Sequence, residues 1–338
     1  MTVPWYGLFL LVSVVVILGG CALFTNGIEW LGKRLKISEG AVGSIFSAIG
    51  TTLPETSIPI MAICFGHAQE RAEVGLGAIL GAPFMLSTLV LPILALLLLT
   101  YARLGKRQAQ FRLNYGEVKT DLAFFSFSYG VGLGSVFVPS RLVHIVVAIG
   151  LIGLYIYYVT IKFGGSDADT GEGGGSLEPL LFAKRARPPS YFMIGLQGAV
   201  GLAGLILGAH LFVTTAETIA GALSISPLIL SLLIAPLATE LPEMSNSFLW
   251  LYRKKDRLAV GNVTGAMVFQ GTFPVSVGLI GTEWALASSA LVTMVLAVAT
   301  AGYCLLQIML GGSWRPWLLS SGALLYIGYT VYLYVGGR

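Results

Sequence analysis

The chain has 338 residues, of which 56% are hydrophobic and only 11% are charged, and its mean hydropathy is +0.83. Since soluble domains carry about 25% charged residues, this composition excludes a soluble globule and indicates an integral membrane protein. The formal net charge of +4 is explained by basic loops between apolar segments, so no nucleic-acid partner is indicated. The three cysteines are isolated in apolar stretches, which favours small core residues over a disulfide or a metal site: Cys21, Cys64 and Cys304.

Ten apolar stretches are long enough to cross a bilayer, which takes ~20 helical residues. In chain order they are 5–26, 40–66, 74–101, 120–138, 142–161, 191–216, 224–251, 258–281, 284–308 and 316–335. Between the fifth and the sixth lies a segment, 162–190, which contains the run GGSDADTGEGGGS. Its glycine, serine and acidic residues are typical of a flexible linker. We therefore predict an all-α membrane protein with ten transmembrane helices.

The second half of the chain repeats the first in a constant register. Residues 48–57 read AIGTTLPETS and residues 236–245 read PLATELPEMS, and the same register gives 11 identities over positions 20–55. This predicts a first five-helix repeat over 1–161 (motif region 48–88), a linker over 162–190, and a second repeat over 191–338 (motif region 236–272). Because five is an odd number of crossings, the second repeat must enter the membrane inverted relative to the first.

The basic residues predict how the chain is oriented. Assigned alternately to the two sides of the membrane, 17 of the 20 lysines and arginines fall on one side. By the positive-inside rule that side is cytoplasmic, so both termini are expected to be extracytoplasmic. The expected location is the plasma or inner membrane of the cell.

Each motif places a glutamate directly after a proline inside an apolar helix: Glu55 follows Pro54, and Glu243 follows Pro242. Proline has no N–H for the carbonyl four residues earlier, so each helix is expected to kink and leave backbone oxygens free near the midplane. The carbonyls concerned are those of Gly50 and Ala238.

A threonine lies four residues before each glutamate, and this spacing puts Thr51 with Glu55, and Thr239 with Glu243, on one helix face. Two such faces would form a site made of oxygen ligands, which hard divalent cations such as calcium prefer. No Cys/His cluster indicates zinc or copper. A buried glutamate can also be structural, but an intramembrane charge costs about 2.5–3.5 kcal/mol, so two at matched positions favour function.

The helix after each motif is also repeated, in a register that pairs 77 with 261. Gly77 and Gly81 match Gly261 and Gly265, and small residues four apart favour close helix packing. Two amides in the second repeat have apolar counterparts in the first and can either add a ligand oxygen or bond a neighbour: Asn262 stands opposite Ala78, and Gln270 stands opposite Leu86.

AIGTTLPE followed by GAILGAP, and APLATELPE followed by GNVTGAM, resemble the two inverted alpha-repeats of the cation/calcium exchanger superfamily, in the form of a prokaryotic sodium/calcium exchanger-like protein. The resemblance covers essentially the whole chain. It implies a secondary active antiporter that works by alternating access at a midplane site. It further implies that Thr51, Glu55, Thr239 and Glu243, with backbone carbonyls, bind calcium and sodium in turn.

Several positions depart from the family pattern. Ala82, Ala266 and Leu86 lack oxygens that family members use for sodium, and Gln270 stands where the family has Asn or Asp. The small hydroxyl of the motif is Thr52 in the first repeat, whereas Glu240 replaces it in the second and adds a third carboxylate. Crowded acids in a low-dielectric site favour proton binding, so a proton becomes a credible counter-ion.

The sequence thus predicts exchange of a divalent cation, with calcium first, for protons and/or sodium. The alternatives are ordinary multi-sodium/calcium exchange, exchange of magnesium or manganese, and an ion channel or a non-transporting ion sensor. An enzyme is not expected, since no nucleophile or metal site accompanies the acids. No cofactor and no obligatory protein partner are expected beyond the lipid bilayer and the small cations.

Overall fold

The computed structural model describes residues 3–35, 55–63, 69–164, 179–183, 188–223 and 225–336. Within these ranges every regular element is a helix and no strand occurs. The helices are α1 Val3–Arg34, α2 55–63, α3 Gln69–Met85, α4 Leu91–Arg103, α5 Tyr115–Ser135, α6 Arg141–Gly164, α7 Tyr191–Leu223, α8 Pro227–Thr239, α9 Leu241–Tyr252, α10 Asp256–Gln270, α11 Phe273–Gly281, α12 Ser288–Gly311, α13 Pro316–Ser320 and α14 Gly322–Gly336.

Six helical segments of the described residues are long and apolar enough to cross a membrane. They are Trp5–Ile28, Glu73–Arg103, Arg141–Lys162, Tyr191–Leu223, Asp256–Gly281 and Ser288–Gly311. α5 has 21 residues but is not among the six, and the other helices are shorter, with α8 among the apolar ones. A helix lies in each of the ten predicted stretches, and the part of the second stretch that is described is α2. The chain is therefore a multi-pass, all-helical membrane protein over its described residues.

The first helices of the two repeats, α1 and α7, pack backbone to backbone. A Cβ on Gly20 would lie 2.7 Å from Leu205 N, and a Cβ on Gly208 would lie 2.9 Å from Ile17 N. These two contacts are equivalent, because the repeat register pairs position 17 with 205 and position 20 with 208. Later residues of α1 face earlier residues of α7, so the two matched helices are antiparallel. Glycine permits this close approach because it has no side chain.

Other contacts give the relative directions of further helices. α3 and α8 are parallel, since Gly77 approaches Leu228 and Gly81 approaches Leu232. α6 and α11 are antiparallel, since Ser276 Oγ donates to Ala148 O over 3.1 Å while Arg141, earlier in α6, bonds carbonyls at the end of α11. These directions are the ones that alternate crossings of the membrane would require.

The helix after each motif is interrupted at the same place in both repeats. In the first repeat a π-helical turn, Leu86–Val90, separates α3 from α4. In the second repeat α10 ends at Gln270 and α11 begins at Phe273. The register that pairs Gly77 with Gly261 also pairs position 86 with 270, so both interruptions occur at matched positions. Hydroxyl groups bond the local carbonyls there, for example Thr272 Oγ1 to Val268 O at 2.8 Å.

Parts of the segment predicted as a linker are described by the structure. α6 continues to Gly164, and residues 179–183 dock on α1 and α7. Leu181 N donates to Asn26 Oδ1 over 3.1 Å, and Phe182 N donates to Gln197 Oε1 over 2.9 Å. Two buried amides therefore hold this turn, and residues 165–178 lie outside the described residues.

Candidate ion-binding site

The second motif lies at a break between two helices. α8 ends at Thr239, and α9 begins two residues later with Pro242 in its first turn. Glu240 lies in the break; its N–H donates to Pro236 O over 2.9 Å, and its carbonyl accepts from Met244 N over 2.9 Å. Pro242 has no N–H to continue the ladder, which accounts for the interruption. The kink predicted at this proline falls at this break between α8 and α9.

The residues on the α8 side of this break are removed from solvent. Thr239 is 3% exposed and Glu240 is 0% exposed. Thr239 Oγ1 donates its proton to Ala235 O over 3.0 Å. A hydroxyl that donates in this way still carries acceptor lone pairs, so Thr239 keeps the capacity to coordinate a cation.

The two repeats meet at the glutamate of the first motif. Glu55 opens the described part of α2 and is 5% exposed, while Gln270 ends α10 and is 1% exposed. Gln270 Nε2 donates a hydrogen bond to Glu55 Oε2. The sequence left open whether this amide adds an oxygen or bonds a neighbour; its neighbour is a motif carboxylate from the other repeat. Its Oε1 atom remains an acceptor that a rotated amide can present to a cation.

The other amide of the second repeat bonds a different helix. Asn262 Nδ2 donates to Ser247 Oγ over 3.1 Å. Ser247 lies in α9, four residues after Glu243 and thus about one helical turn along. This bond joins α10 to the helix that begins at the motif break.

Glycines bring α3 against α8. A Cβ on Gly77 would lie 2.5 Å from Leu228 O, and a Cβ on Gly81 would lie 2.6 Å from Pro236 Cγ. Their counterparts Gly261 and Gly265 make no such close contact with the described atoms. A Cβ on Gly261 would have no neighbour within 4 Å, and a Cβ on Gly265 would lie 3.9 Å from Tyr158 Oη.

Some predicted site residues are not described. Gly50, Thr51 and Thr52 lie outside the described residues, as do the side chains of Ala238 and Glu243, whose backbones belong to α8 and α9. Among the side chains that are described, no group of three or more His, Cys, Asp or Glu is placed to hold a metal. Of the three predicted carboxylates, the structure describes Glu55 and Glu240, whereas the side chain of Glu243 lies outside its described part.

A buried carboxylate that the sequence analysis did not single out ties α10 to α5 and α6. Asp121 in α5 is 1% exposed and lies 2.6 Å from Lys162 Nζ. Tyr158 Oη donates to Asp121 over 3.0 Å, and Thr264 Oγ1 donates over 2.7 Å. The signal was a lone acid at the edge of an apolar stretch. A search for repeated residues passes over it because it has no counterpart in the second repeat.

The multi-pass helical fold, together with the family match that follows, defines a membrane transporter of the exchanger class and not an enzyme. The family model described as sodium/calcium exchanger protein matches residues 5–164 and 195–335. The chain belongs to this family. The unmatched residues between the two parts fall largely within the segment predicted as a linker.

Three similar proteins cover almost the whole chain. One is named "Putative antiporter CaxA", from Alkalimonas amylolytica, and is 26% identical over 97% of this chain and 98% of its own length. The crystal structure of the H+/Ca2+ exchanger CAX has a TM-score of 0.71 at 15% identity, covering 97% of this chain and 82% of that one. The sodium-calcium exchanger NCX_Mj, soaked with Na+ and Sr2+, has a TM-score of 0.55 at 20% identity, covering 97% and 99%. At these identities the two structures establish the fold alone.

Proposed function

We propose that this chain is a secondary active antiporter that exchanges a divalent cation, calcium first, for protons and/or sodium. The observation that carries the proposal is the buried contact between Glu55 of the first repeat and Gln270 of the second. A carboxylate held between two repeats is the arrangement expected of a transporter site reached alternately from either side. The titles of the similar structures, an H+/Ca2+ exchanger and a sodium-calcium exchanger, support cation exchange.

The proposed ligands are all oxygens. The principal set is Glu55, Glu243, Thr51, Thr239 and Glu240. Further oxygens would come from Thr52, Asn262 and Gln270 and from the carbonyls of Gly50 and Ala238. Calcium takes about six to eight oxygens from carboxylates, carbonyls and amides, so a set of this size and chemistry suits it. Magnesium or manganese would need fewer ligands and a stricter geometry.

The hydrogen bond from Gln270 suggests how the site exchanges its occupants. Without a cation the amide N–H₂ satisfies the buried carboxylate of Glu55, because a buried unpaired charge is costly. With a cation bound, a turned amide would offer its oxygen instead. Glu240 is fully buried next to the helix break, and an acid at that place can bind the divalent ion or a proton. Competition between these ions for the same carboxylates would couple their movements.

We further propose ten transmembrane helices in two inverted repeats, with both termini extracytoplasmic in the plasma or inner membrane. The antiparallel packing of α1 and α7 and the parallel packing of α3 and α8 support this count. The distribution of 17 of 20 basic residues to one side supports the orientation.

Calcium flux in proteoliposomes tests the proposed function. Glu55→Gln and Glu243→Gln are each expected to abolish exchange while leaving the protein folded, because each removes a carboxylate without changing its shape. Glu283→Gln is the matched control, since Glu283 is an exposed glutamate outside both motifs. Normal exchange by either motif variant would refute the site assignment. Conductive flux that needs no counter-ion would instead mean a channel, and calcium binding without any flux would mean a sensor.

The driving ion is tested in the same vesicles. Calcium uptake is compared under a pH gradient without sodium and under a sodium gradient at equal pH, for the natural protein and for Glu240→Gln. We expect uptake driven by the pH gradient and a loss of that uptake in Glu240→Gln. Uptake driven by sodium alone and unchanged in Glu240→Gln would establish ordinary sodium/calcium exchange instead.

A further inference from the structure

A basic cavity lies at the adjoining ends of α4 and α9, away from the proposed ion site. Its volume is about 480 Å³, and six residues line it: Tyr101, Lys106, Arg107, Tyr252, Arg253 and Lys254. None of the six is acidic. Two loops that follow helices of different repeats thus bring four cationic side chains to one opening.

The two helices that form the cavity end in the same backbone geometry. After α4, Gly105 has φ +69° and Lys106 N bonds Tyr101 O over 3.0 Å. After α9, Lys254 has φ +63° and Lys255 N bonds Trp250 O over 2.8 Å. Glycine is the usual residue in this left-handed position because a side chain destabilises it. A lysine that keeps this conformation points to a function for its charge.

One of the four cations is fixed and neutralised by the protein itself. Arg107 forms an ion pair with Asp256, and both side chains are largely buried, at 7% and 0% exposure. Arg107 Nη1 also donates to Leu251 O over 3.1 Å, which ties the loop after α4 to the end of α9. Lys106, Arg253 and Lys254 are exposed and have no such partner among the described ion pairs. The cavity therefore carries surplus positive charge, and the contacts of Arg107 hold its two loops together.

We propose that this cavity binds the phosphate headgroup of an anionic lipid. Basic pockets between transmembrane helices on the cytoplasmic side bind such headgroups, and each cation near the surface adds about a fivefold gain in affinity. Tyr101 and Tyr252 contact each other edge to face at the ends of α4 and α9, with ring centroids 5.9 Å apart. In the proposed orientation these helix ends lie at the membrane interface. Tyrosine is enriched at that interface. The inference rests on the proposed orientation, which puts the cavity in the cytoplasmic leaflet.

An electrostatic role at helix ends is the simpler explanation for basic residues there, because cations near a helix C-terminus stabilise its dipole. That role requires neither an open cavity nor a lysine in a left-handed conformation. A bound headgroup would instead join the end of α9, the helix that begins at the motif break, to the end of α4. Lipid binding is therefore expected to alter the transport rate as well as stability.

The test measures lipid retention by native mass spectrometry of the purified protein in nanodiscs. The nanodiscs contain phosphatidylcholine alone or with phosphatidylglycerol or cardiolipin. Lys254→Gly is the central variant, because it removes the charge while giving the backbone its preferred residue, so it should fold at least as well as the natural protein. Arg253→Gln is combined with it. The double variant is expected to lose about 25-fold in affinity for the anionic lipids, at about fivefold per charge.

The control is Lys119→Gln combined with Arg315→Gln, which removes two exposed charges assigned to the same side without touching the cavity. Equal lipid loss in this control, or full retention in the cavity variant, would overturn the proposal. Displacement of the lipid by soluble glycerol phosphate at equal concentration would assign the cavity to a soluble phosphate and also overturn it. Because retention is measured without transport, failure here is separate from failure of the proposed antiport.

Discussion

Replacing Gly81 by alanine should separate α3 from α8. The added Cβ would meet the carbonyl group of Leu232 and lie 2.6 Å from Pro236 Cγ. Since non-bonded carbons prefer about 3.5–4.0 Å, the helices must part by about 1 Å. Both obstacles are stiff, one a backbone carbonyl and the other a proline ring, so the neighbour cannot simply rotate away. Overpacking costs ~1–3 kcal/mol, and we expect a value at the upper end of that range. Alanine stabilises a helix by ~1 kcal/mol relative to glycine. The free energy of unfolding should therefore fall by about 2 kcal/mol.

The same displacement should reach the ion site. Pro236 lies only three residues before Thr239, at the end of α8. Glu240 follows directly, in the break between α8 and α9. Binding groups must be held to within ~0.5 Å of their productive geometry. A shift of α8 relative to Glu55 should therefore weaken calcium binding, by about tenfold if it costs about 1.4 kcal/mol.

The assay is thermal unfolding of the purified protein, followed by calcium uptake over a range of calcium concentrations. Gly153→Ala is the matched control, because a Cβ there meets nothing within 4 Å and the residue is exposed on α6. It should leave uptake unchanged and unfold at the same or a slightly higher temperature. The reasoning fails if Gly81→Ala and Gly153→Ala unfold at the same temperature with the same calcium dependence.

Three further predictions concern the site, the ion pairs and the topology. Gln270→Leu should weaken calcium binding about tenfold or more, because a hydrogen bond to a charged group is worth about 1.5–3 kcal/mol; a result equal to that of Asn262→Leu would mean the contact with Glu55 is unimportant. Asp256→Asn leaves a buried arginine without its charge partner and should cost about 3–5 kcal/mol in thermal unfolding, whereas Glu117→Gln at an exposed pair should cost about 1 kcal/mol or less. Cysteines engineered at positions 2 and 170 should be labelled from outside and from the cytoplasm respectively, and the reverse pattern would refute the orientation.

The helix break at the second motif was predictable because its cause is local. A proline removes one hydrogen bond four residues back whatever the rest of the fold does, so Pro242 interrupts the helix in the sequence and in the structure alike. The matched interruption at Leu86 and Gln270 was not predicted. Its cause is nevertheless local, because each segment carries a proline just after the interruption, Pro92 in the first turn of α4 and Pro274 in the first turn of α11. The form differs: one repeat uses a π-helical turn without glycine, and the other uses a short turn at Gly271.

Contacts between distant parts of the chain could not be read from residue types. The sequence noted Gln270 as a departure from the family pattern and left its role open, because only the packing of α2 against α10 brings it to Glu55. Asp121 was passed over for a related reason. Its three partners come from α6 and α10, and no repeat or motif relates them. A charged residue within an apolar stretch indicates that it has a partner, but the sequence does not show which residue that partner is.

The ligands proposed in the two repeats differ although the helices around them match, and the difference bears on the proposed counter-ion. In the proposed cycle a returning cation replaces the divalent ion at the carboxylates, because bare charges in a low-dielectric site are costly. Sodium would need neutral oxygens around it, yet two of the positions concerned, Ala82 and Leu86, are apolar and at most 2% exposed. The group gained is Glu240, which is an acid and can take up a proton where it lies. The loss of neutral oxygens and the gain of a titratable one therefore both support the proposal that a proton, not sodium, is the returning ion.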